Sequence, residues 1–393
     1  MVSKVLPPVT RLAYKTSMSK AAAQPPDADS GKNRDKPEGT LRTGWTTGAC
    51  ATAATKAALS ALITGTFPDP VSIRLPRGEE PAFALTQESL EHGVATAGIV
   101  KDAGDDPDVT HGLTVMASVR FSAPGSGIRF VAGDGVGTVT KAGLPLPVGE
   151  PAINPVPRAM ITAEVEALCT AHGRPADIEV TISIPGGATV AQQTWNPRLG
   201  IVGGLSVLGT TGVVHPFSCA AWIHSIHRGV DVARAEGLTH LLGATGSTSE
   251  KAGQELYGLP EGALIDMGDF AGGLLKYVRA HPVARLTIAG GFAKLTKLAQ
   301  GAMDLHSARS QVDMGFLESL IVPESLTHPL KEQIQNANTA LEVLELTREN
   351  GIDLPPIVAA RARDAALGIL RGAPVDIDIV VTDRKGKIIG RAG

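Results

Sequence analysis

Two stretches of this 393-residue chain hold residue types at spacings that do chemistry. The first is Leu41 to Leu62, where a turn with Arg42, Gly44 and Gly48 runs into an alanine-rich segment with no proline until Pro68. Thr46 or Thr47 is placed to N-cap a helix there, and the glycines permit a close backbone approach. The unpaired N–H groups of such a helix start, with the positive end of its dipole, favour a carboxylate or phosphate, and Arg42 adds a charge. A well-capped core helix after a tight turn is the plainer alternative. The second stretch is Gly243 to Glu250, Gly-Ala-Thr-Gly-Ser-Thr-Ser-Glu, which follows the apolar run Leu238 to Leu242 and opens a helix with Ser247 or Thr248 as cap. Asp266 ends the next strand, Ala263 to Met267, twenty positions beyond Gly246. In nucleotide-binding α/β units an acid near that offset takes two ribose hydroxyls, so a nucleoside site is expected here, with a plain structural turn as the alternative.

Other clusters are less specific. Asp102, Asp105, Asp106 and Asp108 crowd one loop but lack the register of a calcium hand, so a solvated acidic loop is expected, or else a substrate or metal contact. Gly133, Gly135 and Gly137 allow a ligand close to the backbone, yet no helix follows them as a dinucleotide fingerprint requires. The proline-rich run Pro145 to Pro157 predicts a rigid loop lining a site with Glu150 and Asn154. His224 and His227 lack a further ligand, so no metal site is expected. Asp304, His306 and Ser307 are too close in sequence for a catalytic triad and read, with Lys294 and Lys297, as a polar rim.

The elements that position these residues follow two grammars. From 39 to 192 the pattern is hairpin-like: the alanine-rich helix, short strands at Val71 to Leu75 and Ala82 to Leu85, a strand at Leu113 to Arg120, a helix from Arg158 to His172, and an alternating strand at Ile178 to Ile184. From 193 to 393, apolar runs ending in glycine-rich loops alternate with helices; Leu199 to Leu208, Leu238 to Leu242 and Leu286 to Ala289 are expected as parallel strands. A helix from Pro355 to Leu370 and a hairpin from Val375 to Ile389 end the chain. The prediction is an N-terminal α+β domain packed on a C-terminal α/β domain with a mostly parallel sheet, the site in the cleft between them. Residues 1–38, with five prolines and few large apolar groups, are expected to form a disordered tail. The hydrophobic content of 43% supports a sizeable core, and a net charge of -3 without a basic run argues against nucleic acid as the main partner. Three widely spaced cysteines fit a reducing cytoplasm, and no stretch suits a membrane span.

Six runs in order resemble one family: RTGWTTGAC at 42–50, KDAGDDPD at 101–108, GDGVG at 133–137, GEPAINPVPR at 149–158, NPRLGIVGG at 196–204 and LGTTGV at 208–213. Together they are similar to the cobalt-precorrin-5B C1-methyltransferases of cobalamin biosynthesis, over nearly everything from Thr40 to about Val381. The resemblance implies S-adenosylmethionine as methyl donor and a polycarboxylate tetrapyrrole as acceptor, with cobalt present only as part of that substrate. Carboxylates of the macrocycle would then suit Thr46, Thr47 and Gly48 with Arg42, Lys141, Asn154, Arg158 and Arg198. The adenosine would suit Gly243, Thr245, Gly246, Ser247 and Asp266, with Thr210, Thr211 and Lys294 as further donor contacts. Asp134, Glu150 and His306 are the candidates for proton handling. The chain departs from the family at Gly291, where histidine is frequent, while Lys294 still matches. A nucleotide-dependent oxidoreductase and a non-catalytic tetrapyrrole carrier are the alternatives, and a homo-oligomer is compatible with the sequence.

Overall fold

A computed structural model describes residues 39–393; the expected tail at 1–38 lies outside the described residues. The alanine-rich segment forms helix α1, Thr47–Thr64, because Thr46 Oγ1 accepts from Ala49 N–H and Gly65, in the left-handed region, stops it. Helix α1 is buried nearly all round from Thr47 to Ala61. The reason is its position between a helix and a sheet, which both need small side chains to approach its axis.

That sheet has five strands: β1 (Gln87–Glu91), β2 (Val94–Val100), β3 (Thr114–Phe121), β4 (Ile128–Ala132) and β5 (Ile178–Ser183), in the order β1-β2-β3-β5-β4. All pairs are antiparallel except β4 with β5, which are parallel. Val115, Ala117 and Val119 of β3 and Ile178, Val180 and Ile182 of β5 alternate onto one buried face, where α1 packs against β2 and β3. Helix α2, Pro155–Ala171, covers the other side of α1, beginning three residues earlier than predicted, since its prolines occupy the first turn, where no N–H bond is missed.

A second cluster runs from Ile226 to Val381 and is built on another five-stranded sheet. Its elements are helix α3 (Cys219–Ala235), strand β6 (His240–Ala244), α4 (Ser247–Tyr257), β7 (Leu264–Asp266), α5 (Ala271–Ala280), β8 (Arg285–Gly291), α6 (Phe292–Ala299), α7 (Leu354–Leu370), β9 (Asp376–Thr382) and β10 (Ile388–Ala392). The order is β7-β6-β8-β9-β10, with only β10 antiparallel to its neighbour. Helix α4 packs on the Leu242 face of β6 and α5 on the Gly243 face, so the two crossovers lie on opposite sides. Burial on both faces explains the consecutive apolar residues Ile379, Val380 and Val381 of β9 and Ile288 and Ala289 of β8.

Leu199 to Leu208 does not join this parallel sheet, contrary to expectation. Only Ile201–Val202 is strand, paired antiparallel with Thr138–Val139, while Leu205 and Val207 bridge to Val136 and Ile153 and are buried in the first cluster. An apolar run ending in glycines looks the same whether its partners are neighbouring strands or a glycine-rich loop. Among the described residues no helix is long and apolar enough to cross a membrane.

Candidate functional site

The chain leaves β6, forms β7 on one side of it, and returns to form β8 on the other, so strand order reverses between β6 and β8. At such a reversal the loops beyond the carboxyl ends diverge and leave a crevice. Thr245 and Gly246 emerge from β6 there, Asp266 ends β7, and Gly290 and Gly291 end β8. Thr245 N–H donates to the Ala289 carbonyl at 3.0 Å, and a side chain at Gly290 would press on Thr245 at 2.9 Å, so the two loops touch. Around Gly246 and Gly291 a Cβ would meet nothing, which leaves open space on both sides of this contact.

Ser247 and Thr248 do not cap α4 as predicted. Gly246 occupies the cap position without a side-chain bond, and Ser247 is already the first helical residue. Gly243 is also corrected: its missing side chain makes room for Leu274 of α5, so it serves sheet-to-helix packing rather than a ligand.

Asp266 lies opposite Ala244, with its carboxyl raised to about 6 by burial and then by the charge of Glu250. Glu250 of α4 is held by both arms of Arg198, at 2.8 and 3.0 Å, and Arg198 rests over the Trp195 ring. Arg198 is therefore a tie to Glu250 and not an open carboxylate receptor. Trp222 of α3 completes this edge; its indole N–H donates to the Asp266 carbonyl at 3.1 Å, it lies against Gly268, and it is 45% exposed. Sequence reading missed Trp222 and Glu250, although a large aromatic on the polar side of an amphipathic helix was a signal for the first. Lys294 pairs with Asp269, and the Leu305 carbonyl accepts from the buried Lys297 at 3.0 Å, so these lysines brace the loop at 304–306.

The start of α1 is engaged within the chain. Gly48 N–H donates to Leu208 O at 2.8 Å and Thr46 N–H to Gly212 O at 2.9 Å, while Gly209 leaves room for the Thr46 side chain. The two Thr-Thr-Gly turns thus pack on each other, with Thr47 buried and Thr211 Oγ1 donating to the Val213 carbonyl. The Thr46, Gly48 and Ala49 N–H groups of this turn are thus taken up within the chain. Arg42 makes a two-armed pair with Asp102, and its N–H donates to Asp105; this guanidinium holds the Asp102 carboxyl down to about 2. Asp108 pairs with Lys101, and Asp106 accepts from Phe217 N–H at 2.8 Å. The acidic loop is a brace between segments, neither simply solvated nor arranged around a cation.

Arg158 spends its donors on the proline-rich loop: Nε on the Ile153 carbonyl at 2.8 Å, Nη2 on Glu150 at 2.9 Å and on the Pro151 carbonyl at 3.0 Å. It pins the loop that was expected to line a site. Arg158→Met should cost about 1–3 kcal/mol in urea unfolding by stranding those carbonyls; an unchanged midpoint would mean that water replaces the bonds without loss. Asn154 precedes α2 without capping it, and Lys141 reaches Glu236 at 3.8 Å. Gly133, Gly135 and Gly137 admit Ser183, Ile184 and Ile201 rather than a ligand.

Asp134 lies on an exposed turn, Glu150 is tied to Arg158, and His306 is exposed in the loop after α6. Among the described residues no hydrogen bond joins any two of them. Only His306 neighbours the crevice, through Leu305 N–H to the Asp269 carbonyl at 2.8 Å. Its Nδ1 accepts from Ala308 N–H, so the neutral ring presents Nε2–H as a donor, which suits it less to be a base.

The CbiD family model matches residues 34–216, and the model of the CbiD C-terminal domain matches 304–393. Proteins named cobalt-precorrin-5B C(1)-methyltransferase from Brucella canis and Brucella abortus (strain S19) are each 66% identical over 360 residues, covering 92% of this chain and 97% of theirs. The crystal structure of the cobalamin biosynthesis protein cbiD from Archaeoglobus fulgidus is 25% identical, covers 80% of this chain and 86% of its own, and has a TM-score of 0.37. This chain belongs to the CbiD family, the cobalt-precorrin-5B C(1)-methyltransferases.

Proposed function

We propose that this chain methylates C1 of cobalt-precorrin-5B, with S-adenosylmethionine as the methyl donor, to give cobalt-precorrin-6A in cobalamin biosynthesis. The observation that carries the reading is 66% identity over 92% of the chain with relatives bearing that name. The crevice between β6 and β8 is the donor side of the cleft. Its residues fit a nucleoside: Asp266 is a half-buried acid with no ion-pair partner among the described residues, suited to accept from two ribose hydroxyls, and the open space at Gly246 and Gly291 lets a ligand meet the backbone. Trp222 offers an exposed aromatic face beside Asp266. Bound there, S-adenosylmethionine supplies an electrophilic methyl group. The contribution of the protein is to hold donor and acceptor in line and exclude water, which needs no protein nucleophile.

The direct test is incubation of the purified chain with cobalt-precorrin-5B and S-adenosylmethionine carrying a labelled methyl group. One labelled methyl should appear on the ring; a hydride-transfer activity, or macrocycle binding without donor affinity, would favour an oxidoreductase or a carrier instead. Donor binding should also depend on pH with a definite sign. Protonated Asp266 accepts poorly from two hydroxyls, so affinity falls as pH drops through about 6, by about tenfold per unit below it. Calorimetric titration of S-adenosylmethionine across that range would show the slope, and a flat profile would put the nucleoside elsewhere.

A further inference from the structure

Beside the donor crevice, between α3, α5 and the loop at 303–309, runs an open groove of about 510 Å³, within the range of small-molecule sites. Its walls are predominantly apolar, with Ile223 from α3, Phe270 before α5 and Met303 from the loop. Met303 is 43% exposed, and Trp222, at 45%, continues the surface toward Asp266, its ring 6.3 Å from that of Phe270. Open, mostly apolar concavities with a few polar groups are where small molecules bind. Two cations border it. Lys276 is exposed and makes no ion pair among the described residues; Arg309, 55% exposed, pairs with Asp304, the one acid on the wall, and donates from its other arm to Cys219 Sγ at 3.2 Å.

Apolar walls with a cationic border are complementary to a flat, greasy ring that carries carboxylates on its edge. Resting on the methyl-transfer reading above, we propose that the tetrapyrrole docks along this groove, its ring on Ile223, Phe270 and Met303 and its side-chain carboxylates toward Lys276 and Arg309. The donor crevice and the acceptor groove then share one wall, Trp222 and Phe270, as transfer between bound partners requires. Both ligands are then held mainly by the second cluster, beside which Arg198 bonds Glu250 and Phe217 N–H donates to Asp106. This differs from the expectation that the macrocycle sits on the α1 turn, whose Thr46, Gly48 and Ala49 N–H groups are engaged within the chain.

The chain carries its own reporter. Cys50 and Cys169 are buried, whereas Cys219 lines the groove and is partly exposed, so alkylation of the native protein by N-ethylmaleimide reads Cys219. Cobyrinic acid, a stable cobalt corrinoid with free carboxylates, should slow alkylation of Cys219 by at least about tenfold, while S-adenosylmethionine should leave the rate within about twofold, because only the macrocycle covers the thiol. Lys276→Glu, an exposed substitution that should leave the unfolding midpoint unchanged, should weaken that protection about tenfold or more, the scale of one charge-assisted contact turned repulsive. Protection by S-adenosylmethionine alone would give the groove to the donor and overturn the proposal. So would absence of protection by cobyrinic acid at any concentration, or protection that Lys276→Glu leaves intact. These readings are separable from the activity assay: a chain that transfers no methyl group while cobyrinic acid still shields Cys219 through Lys276 would refute the methyltransferase reading and leave the groove assigned.

Discussion

Gly48→Val is expected to abolish soluble, folded protein rather than to weaken one ligand selectively. A Cβ at Gly48 would stand 2.7 Å from Pro157 Cγ and 3.0 Å from the Leu208 carbonyl, the group that accepts the Gly48 N–H at 2.8 Å. Valine adds two further methyl groups at the junction of α1, α2 and the Gly209 turn, where Ala49, Cys50 and Ala51 are already wholly buried. Overpacking costs about 1–3 kcal/mol and a broken buried hydrogen bond about as much again. Together that is a large part of the roughly 5–15 kcal/mol that holds a typical protein together. Soluble yield and far-ultraviolet circular dichroism measure it, with Gly48→Ala as a milder step in the same direction. Folded Gly48→Val protein with a normal melting temperature and a selective loss of acceptor affinity would restore the turn as a ligand contact.

The second large effect is expected at Asp266, and it has two opposite signs. Asp266→Asn should lower affinity for S-adenosylmethionine by about ten- to a hundredfold, the equivalent of about 1–3 kcal/mol for a charge-assisted hydrogen bond. The same substitution should stabilise the unliganded protein at neutral and higher pH. Burial and the neighbouring Glu250 raise this carboxyl from 3.8 to about 6, so the folded chain binds a proton that the unfolded chain releases. Native stability therefore falls as pH rises from about 4 to about 6, and the penalty, on the order of 2–3 kcal/mol, persists above that window. Asparagine carries no such charge, so its urea midpoint should exceed that of the parent at about pH 8 and converge with it below about pH 4. A variant less stable at both ends would show that the carboxylate is held by structural bonds, not kept strained for a ligand. A site that weakens the empty protein and strengthens the liganded one is the usual mark of a functional acid.

Local patterns sufficed wherever a segment needs only its own neighbours: Thr46 and Gly65 bound α1, the alternation of Ile178, Val180 and Ile182 makes β5, and the glycine-ended runs at 238–242 and 286–289 are parallel strands with helices after them. The Gly243 to Glu250 turn and Asp266 were legible as a pair because a crossover of fixed length sets their offset. The exposed strand β1 went unread, since its residues carry no apolar alternation.

What chain distance conceals, only the tertiary structure decided. Arg198 and Glu250 stand 52 positions apart, and nothing local tells an arginine awaiting a carboxylate ligand from one already bound to a carboxylate of its own chain. The same holds for Arg42 with Asp102, Arg158 with Glu150, and the glycines at 133, 135 and 137, which admit the protein's own backbone and side chains. A glycine or an arginine states a capacity for close approach or for charge pairing; which partner uses it depends on which distant segment packing brings near. By itself the sequence determined the family, the strongly patterned elements and the position of the acid at the end of β7, because short-range sterics and periodicity act within one segment. The tertiary structure decided that the α1 turn faces its own chain, that the Trp222 indole bonds the Asp266 carbonyl, and that an open apolar groove lies beside them, because each of these is a relation between segments whose adjacency arises only when the two cores close.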